Sequence, residues 1–201
     1  MLNISKVTEN NGRILIQDPP IARFLFQSTL ASWFWLVVRV FVGWQFLDAG
    51  WHKLNTPAWV DGSGAGIAGF WKNALAVNNG KPVITYDWYR GFIQFLVDTN
   101  SAGWFSYVIV GGEIAVGLGL ILGAFVGIAA FGGLLMNMAF LLAGTTSTNP
   151  VLAVLGIALV LAWKNAGYVG LDRFFLPLIG TPWQRPSVTT ERVQLEHQLA
   201  A

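Results

Sequence analysis

The chain has no cysteine and only two histidines among its 201 residues. Without cysteine it has no disulfide, no thiolate nucleophile and no ligand for an iron–sulfur cluster. The two histidines, His52 and His197, are too few and too far apart in sequence for a metal site or a bis-histidine haem site. We therefore expect no metal centre in this protein.

Charge is also scarce. Only 11% of the residues are charged, whereas 54% are hydrophobic and the mean hydropathy is +0.55. This composition is typical of a compact integral membrane protein with a single domain. The net charge is only +2 and the lysines and arginines are scattered, which argues against a nucleic-acid partner.

The long apolar runs predict four membrane-spanning helices. Asn149 and Pro150 suit the start of the last one, as helix cap and first helical residue. The second and third spans are separated only by residues 123–127, so we expect an antiparallel pair with a tight turn. About 18 residues at roughly 1.5 Å each cover the hydrocarbon core. The predicted spans are 31–54, 102–124, 127–145 and 150–168.

The predicted fold class is an all-α integral membrane protein, a four-helix transmembrane bundle with a long loop between its first two spans. Residues 31–176 form the membrane domain, and residues 55–101 form an outer lid of short interfacial helices, in which the turn signal NNGKP separates two amphipathic segments. A tail with a possible interfacial helix (1–30) precedes the domain, and a second tail (177–201) follows it.

The N-terminus is polar and interrupted by Pro19 and Pro20, so it does not resemble a cleavable signal and the first span serves as the membrane address. Four spans place both termini on one side. More basic residues lie close to the tails than in the long loop, which favours a plasma-membrane protein with both termini in the cytoplasm.

The first span has two polar faces. The small residues Gly43 and Gly50 permit close helix approach and indicate that their face lies inside the bundle. Asp48 and His52 lie four residues apart on the opposite face, where they form either a structural salt bridge or a proton-transfer site. The predicted interior face consists of Arg39, Gly43, Phe46, Gly50 and Lys53.

Four polar side chains fall deep within the predicted spans. Counted from the outer helix ends, Glu113 lies roughly 16 Å deep, Asn137 roughly 12 to 15 Å, and Arg39 and Lys164 roughly 21 to 23 Å. We therefore predict one polar layer in which Glu113 pairs with Arg39 or Lys164. Such a layer is either a buried ion pair that fixes the fold or a site that binds a head group and handles protons.

Five sequence blocks together resemble the DoxX/DoxD family of four-helix membrane proteins, over nearly all of residues 35 to 176. The long first loop and the NP before the fourth span are most similar to the DoxD branch, the large membrane subunit of thiosulfate:quinone oxidoreductase. The blocks are RVFVGWQFLDAGWHKLNTPAW, GSGAGIAGFW, VGGEIAVGLGLILG, MNMAFLLAGTTSTNP and NAGYVGLDRFF. By resemblance, the positions that matter are Arg39, Gly43, Gly50, Lys53, Glu113, Asn137, Asn149, Asn165, Gly170 and Asp172.

The resemblance implies a quinone-linked oxidoreductase subunit that oxidises thiosulfate or a related sulfur anion. Its implied partners are the bilayer, a quinone as bound substrate, and a small DoxA-like subunit or a larger membrane complex. The predicted catalytic residues are Arg39, Glu113, Lys53 and His52. Lys53 and His52 would attract the anion, and the quinone would bind to Arg39, Glu113, Asn137 and Lys164.

Two other function classes compete with this one. The chain has no cysteine for a sulfur adduct and no dinucleotide fingerprint for a flavin, which favours a non-catalytic accessory or structural subunit of a larger respiratory or photosynthetic redox complex. A small-molecule transporter would be indicated by an inverted repeat or by broken helices, and neither is evident in the sequence.

Overall fold

The computed structural model describes residues 9–10, 13–14 and 18–180, so most of the predicted C-terminal tail and part of the N-terminal tail lie outside the described residues. Apart from two short ribbons, the regular structure in these residues is helical. The ribbons pair β1 (Glu9–Asn10) with β2 (Arg13–Ile14) and β3 (Val77–Asn78) with β4 (Lys81–Pro82), both antiparallel. The helices are α1 (Pro20–Gln27), α2 (Ser32–Leu54), α3 (Pro57–Val60), α4 (Ala65–Ala74), α5 (Asp87–Asp98), α6 (Ala102–Leu122), α7 (Val126–Leu142), α8 (Asn149–Leu161), α9 (Trp163–Ala166) and α10 (Asp172–Leu178).

Two of these helical segments, Thr29–Leu54 and Ala102–Leu122, are long and apolar enough to cross a membrane. The other two predicted spans correspond to α7 and α8, which are apolar but have only 17 and 13 residues. Both are shorter than predicted because α7 ends at Leu142 and a break at Ala162 separates α8 from the short helix α9. Two candidate spans are thus present, and the four-span bundle stays a prediction.

The apolar helices pack in sequence: α2 on α6, α6 on α7, α7 on α8, and α8 on α2. The closest approach is between α2 and α6, where a methyl group added at Gly117 would lie 2.7 Å from the backbone nitrogen of Leu47. The predicted interior face of α2 is confirmed, since four of its five residues are buried. These are Arg39, Gly43, Phe46 and Gly50.

The connection between α6 and α7 is the predicted tight turn. Gly123 and Phe125 both have positive φ angles, of 68° and 48°. The left-handed conformation suits glycine, because it has no Cβ to clash with the following carbonyl. The turn therefore brings α7 back antiparallel to α6.

The segment between α2 and α6 forms the predicted lid from α3, α4, α5 and the β3–β4 ribbon. Its two amphipathic segments fold as α4 and α5, and their apolar faces bury Trp71, Tyr89 and Ile93 against the start of α6 and the end of α7. α5 also has an exposed aromatic face, on which Trp88 is 66% and Phe95 61% exposed. Such a face suits a membrane–water interface.

The N-terminal segment is tied to the rest of the fold through backbone carbonyls. α1 is a helix within the predicted N-terminal tail, and its residues Ile21 and Phe24 are exposed. The carbonyl of Leu25 accepts hydrogen bonds from Trp35 Nε1 at 2.7 Å and from Asn165 Nδ2 at 2.8 Å. α1 is thereby held against α2 and α9.

Candidate functional site

A buried ion pair joins the two long helices beneath the lid. Lys53 Nζ, near the end of α2, lies 2.5 Å and 2.6 Å from the two carboxylate oxygens of Glu113, in the middle of α6. The Glu113 side chain is only 2% exposed, whereas that of Lys53 is 20% exposed. The pair is therefore closed on the Glu113 side and reaches solvent or lipid on the Lys53 side. The predicted pairing of Glu113 with Arg39 or Lys164 is wrong.

The lid helix α3 covers the lysine. Lys53 Nζ lies 5.3 Å from the centroid of the Trp59 ring, which is within the range of a cation–π contact. The buried hydroxyl of Ser106, on α6, donates to the Trp59 carbonyl at 2.6 Å. Sequence reasoning missed both Trp59 and Ser106. The sequence signal for Trp59 is a tryptophan six residues after a lysine at the end of a span. This pattern is too common to identify a site residue.

The backbones of α2 and α6 come close at the level of the ion pair. A methyl group added at Gly50 would lie 2.8 Å from Ile114 Cγ1 and 3.1 Å from Glu113 Cβ. Gly50 therefore lets the carboxylate approach α2 closely enough for Lys53, one turn further along, to reach it.

Asn137, on α7, supplies a polar group that the fold does not use. Its side chain is 2% exposed, and its Nδ2 has no hydrogen-bond partner in the described structure. The contact between Gly112 and Met136 places it on the level of Glu113, because α6 and α7 are antiparallel. A buried donor without an acceptor lowers stability by about 1 to 3 kcal/mol. An asparagine at this position is therefore explained if a bound ligand supplies the acceptor.

A cavity of about 210 Å³ lies between the lid, the N-terminal half of α6 and the C-terminal half of α7. Ile109, one turn before Glu113, and Met136, next to Asn137, both line it. The Tyr89 hydroxyl, on another wall, donates to the Ala139 carbonyl at 2.8 Å. Burial raises the pKa of Tyr89 above its usual value, which keeps the phenol protonated. We call this space the aromatic cavity; its ring-bearing lining residues are Phe70, Trp71, Tyr89, Phe92, Phe105 and Phe140.

Arg39 forms a separate polar centre at the opposite end of the helices. Its guanidinium is buried and donates to the carbonyls of Leu120 at 2.9 Å and Ile121 at 3.2 Å, and also to that of Val169. The first two carbonyls belong to the last turn of α6, where the helix dipole favours a cation. The contact with Val169 holds the segment after α9 against the same turn.

Asp172 completes this second centre. Its carboxylate accepts hydrogen bonds from the backbone nitrogens of Phe125 at 2.6 Å and Val126 at 2.9 Å, at the start of α7. Asp172 therefore caps α7 while Arg39 caps α6, and both close the tight turn between them. Asn165, which donates to the carbonyls of Leu25 and Ser28, also has an evident structural role.

The two remaining predicted catalytic or quinone-binding residues, Lys164 and His52, lie on the surface. Lys164 is exposed, with its Nζ 5.8 Å from the ring centroid of Trp163. His52 and Asp48 are exposed, and the salt bridge foreseen as one reading of this pair is not formed, since Lys53–Glu113 is the only salt bridge among the described residues. The structure therefore brings together Lys53 and Glu113, with Asn137 on their level, and separately Arg39 with Asp172.

The predicted single polar layer is thus wrong, since there are two centres; Glu113 and Leu120 are seven positions apart, or about 10 Å along α6. Residues 18–180 contain no group of three His, Cys, Asp or Glu side chains that could hold a metal ion. In the centre around Arg39, the guanidinium Nη atoms and the Asp172 carboxylate join backbone segments, while Arg39 Nε has no hydrogen-bond partner among the described residues. The centre around Glu113 combines a buried ion pair, the unpartnered donor of Asn137 on the same level and a neighbouring apolar cavity, and it is our candidate site.

The comparisons with known proteins agree with a membrane protein. The family model DoxX matches residues 34–146, which include Lys53, Glu113 and Asn137 but not Lys164 or Asp172. No curated protein and no solved structure matches the chain. Because the match covers more than half of the residues, the chain belongs to the DoxX family of membrane proteins.

Proposed function

We propose that this protein is a four-span membrane subunit of a quinone-linked oxidoreductase, close to the DoxD branch of its family, and that it binds the quinone head in the aromatic cavity. The observation that carries the proposal is the unpartnered Nδ2 of Asn137, buried on the level of the Lys53–Glu113 pair and adjacent in sequence to Met136, which lines that cavity. Ligand sites of this type are mostly apolar with a few polar groups that orient the ligand.

The three side chains have separate roles in this proposal. Asn137 donates to a quinone oxygen, and Glu113 delivers protons to the reduced oxygens. Lys53 holds the carboxylate in position and, through its partly exposed side, connects it to water. The reaction needs two electrons and two protons for each quinone: two thiosulfate ions, one quinone and two protons give one tetrathionate ion and one quinol.

The sulfur anion approaches from the outer surface. Lys53 and the exposed His52 lie at that end of α2, and the positive charge of Lys53 attracts an anion. Arg39 and Lys164 are not part of this proposed site, because Arg39 is engaged by three carbonyls and Lys164 lies on the surface. A small second subunit or a larger membrane complex would complete the thiosulfate site.

A second candidate function is that of a non-catalytic accessory subunit in a redox complex. The observation in its favour is that the Lys53–Glu113 pair, packed against Gly50 and covered by Trp59, is fully explained as a link between α2 and α6. In that case Asn137 has no ligand, and its substitution affects neither binding nor turnover.

The replacement Asn137→Leu tests the proposal. Because Asn137 Nδ2 makes no hydrogen bond within the described structure, this variant should keep the wild-type stability. Loss of one hydrogen bond of about 1 kcal/mol should weaken the binding of a soluble quinone about fivefold. Titration of the purified protein by tryptophan fluorescence measures the affinity, and thiosulfate-dependent reduction of the same quinone measures turnover.

Asn165→Leu is the matched control. This asparagine is equally buried, but its Nδ2 donates to Leu25 and Ser28, so its loss should lower stability and leave the quinone affinity of the folded fraction unchanged. If Asn137→Leu binds quinone as tightly as the wild type, or if the wild type with its co-purifying partners reduces no quinone, the accessory function is favoured instead.

A further inference from the structure

An apolar groove leads from the aromatic cavity along the outside of α6 and α7. We propose that this groove holds the isoprenoid tail of a lipid-phase quinone, whose head lies in the aromatic cavity. This inference rests on the proposed function and specifies the substrate: a quinone with a long prenyl chain that enters from the bilayer.

The groove and the cavity are neighbours. Ile109, Leu135 and Met136 line both of them, so only these side chains separate the two spaces and no helix lies between them. The cavity has a volume of about 210 Å³ and the groove about 570 Å³. The smaller volume of the aromatic cavity suits a single ring, and the larger volume of the groove suits a longer chain.

The chemistry of the groove suits a hydrocarbon chain and nothing polar. All its lining residues are apolar or glycine, and several are exposed on the side away from the bundle, including Val108, Ile128 and Leu135. Along α6 the lining extends from Val108 to Gly119, which at 1.5 Å per residue is about 17 Å. That length accommodates a chain of several isoprene units.

Small residues open the groove without being needed for helix packing. A methyl group added at Gly132 would meet only Val116 Cγ2, at 3.6 Å, and one at Gly112 would meet the flexible Met136 side chain at 3.5 Å. Both are ordinary contacts. By contrast, Gly117 faces the backbone of α2 and tolerates no Cβ. Packing therefore explains Gly117 but not Gly112 or Gly132, whose effect is to leave space beside the cavity.

The test compares one quinone head with and without its tail. The full-length protein in lipid nanodiscs is titrated with a tail-less methylated benzoquinone and with the same head carrying an isoprenoid chain. We expect Gly132→Leu, which fills the groove away from the cavity, to weaken binding of the tailed quinone at least fivefold and to leave the tail-less affinity unchanged. Ala115→Leu, at another lining position, should act in the same way.

Gly111→Leu is the matched control, because Gly111 is exposed on the same helix, lies outside the groove and has no atom within 4 Å of an added Cβ. It should change neither affinity. If both groove variants fold and bind the tailed quinone like the wild type, bulk lipid chains fill the groove and the inference is overturned while the proposed function stands. If the wild type binds neither quinone, the proposed function fails and the inference fails with it.

Discussion

Replacing Glu113 by glutamine keeps the size of the side chain but removes the negative charge that Lys53 contacts. In the structure both carboxylate oxygens lie within 2.6 Å of Lys53 Nζ, and the carboxylate is 2% exposed. Lys53→Met performs the complementary change and leaves the carboxylate without its counter-charge. The double variant Lys53→Met/Glu113→Gln removes both charges together.

The magnitude follows from the burial of the pair. Removing one partner of a buried ion pair costs about 3 to 5 kcal/mol, because the remaining charge is left uncompensated. Lys53 is 20% exposed, so its charge is partly solvated when unpaired, and we expect Glu113→Gln to cost about 3 kcal/mol. Lys53→Met leaves the more deeply buried carboxylate without its counter-charge and should lower the free energy of unfolding by about 5 kcal/mol. The double variant should cost about 1 to 2 kcal/mol, less than either single change.

The assay is a double-mutant cycle of reversible unfolding in detergent micelles with increasing denaturing detergent. Asp48→Asn serves as the control for removal of one charge from α2, because Asp48 is exposed and forms no salt bridge with any described residue. It should change the free energy of unfolding by less than about 0.5 kcal/mol. Additive single effects, with a coupling energy below about 0.5 kcal/mol, would refute the buried-pair argument.

Three further predictions concern the fold. Arg39→Lys keeps the charge but lacks the planar fork that reaches three carbonyls, so it should lower the unfolding free energy by about 2 to 4 kcal/mol in the same assay; wild-type stability would contradict this. Gly117→Ala should separate α2 from α6 and lower the thermal unfolding midpoint, while Gly111→Ala should not, and equal midpoints would argue against close packing. Reporter fusions after residues 75 and 190 should report opposite sides, the first outside; two cytoplasmic reports would exclude the four-span topology.

The interior face of α2 was predictable from the sequence because it depends only on helical periodicity. Residues at i, i+3, i+4 and i+7 share a face whatever the neighbouring helix, and Gly43 and Gly50 indicated which face has a close neighbour. The lid helices and the α6–α7 turn were predictable for similar local reasons. Their signals, an amphipathic repeat and a short glycine-flanked connection, lie within a few residues.

The partner of Glu113 was not predictable, because depth was counted from the end of each helix separately. In the structure Gly50 lies opposite Ile114, so Leu54 at the end of α2 lies opposite residue 110. α6 begins at Ala102, eight residues or about 12 Å beyond that level. The offset between the helices brings Lys53 to the level of Glu113.

Side-chain direction adds to this offset. The Cα–Cβ bonds of a helix tilt toward its N-terminus, so Lys53 extends back along α2, toward the carboxylate. Arg39 has the same direction but sits at the level of the α6–α7 turn, where the nearest acceptors are backbone carbonyls. A single sequence shows neither the offset between α2 and α6 nor which backbone carbonyls lie within reach of Arg39.

The contacts of Arg39 also bear on how the protein is made. Its acceptors lie 81, 82 and 130 residues further along the chain. At about 5 to 20 residues per second, a ribosome takes about 7 to 26 s to synthesise the last of them after Arg39 itself. Until Leu120 and Ile121 are made the cation on α2 has none of these acceptors, and the last of them is Val169, so we expect α2 to reach its final insertion depth only when the segment around Val169 emerges. The position of α2 in the membrane is then completed by a segment synthesised 130 residues later.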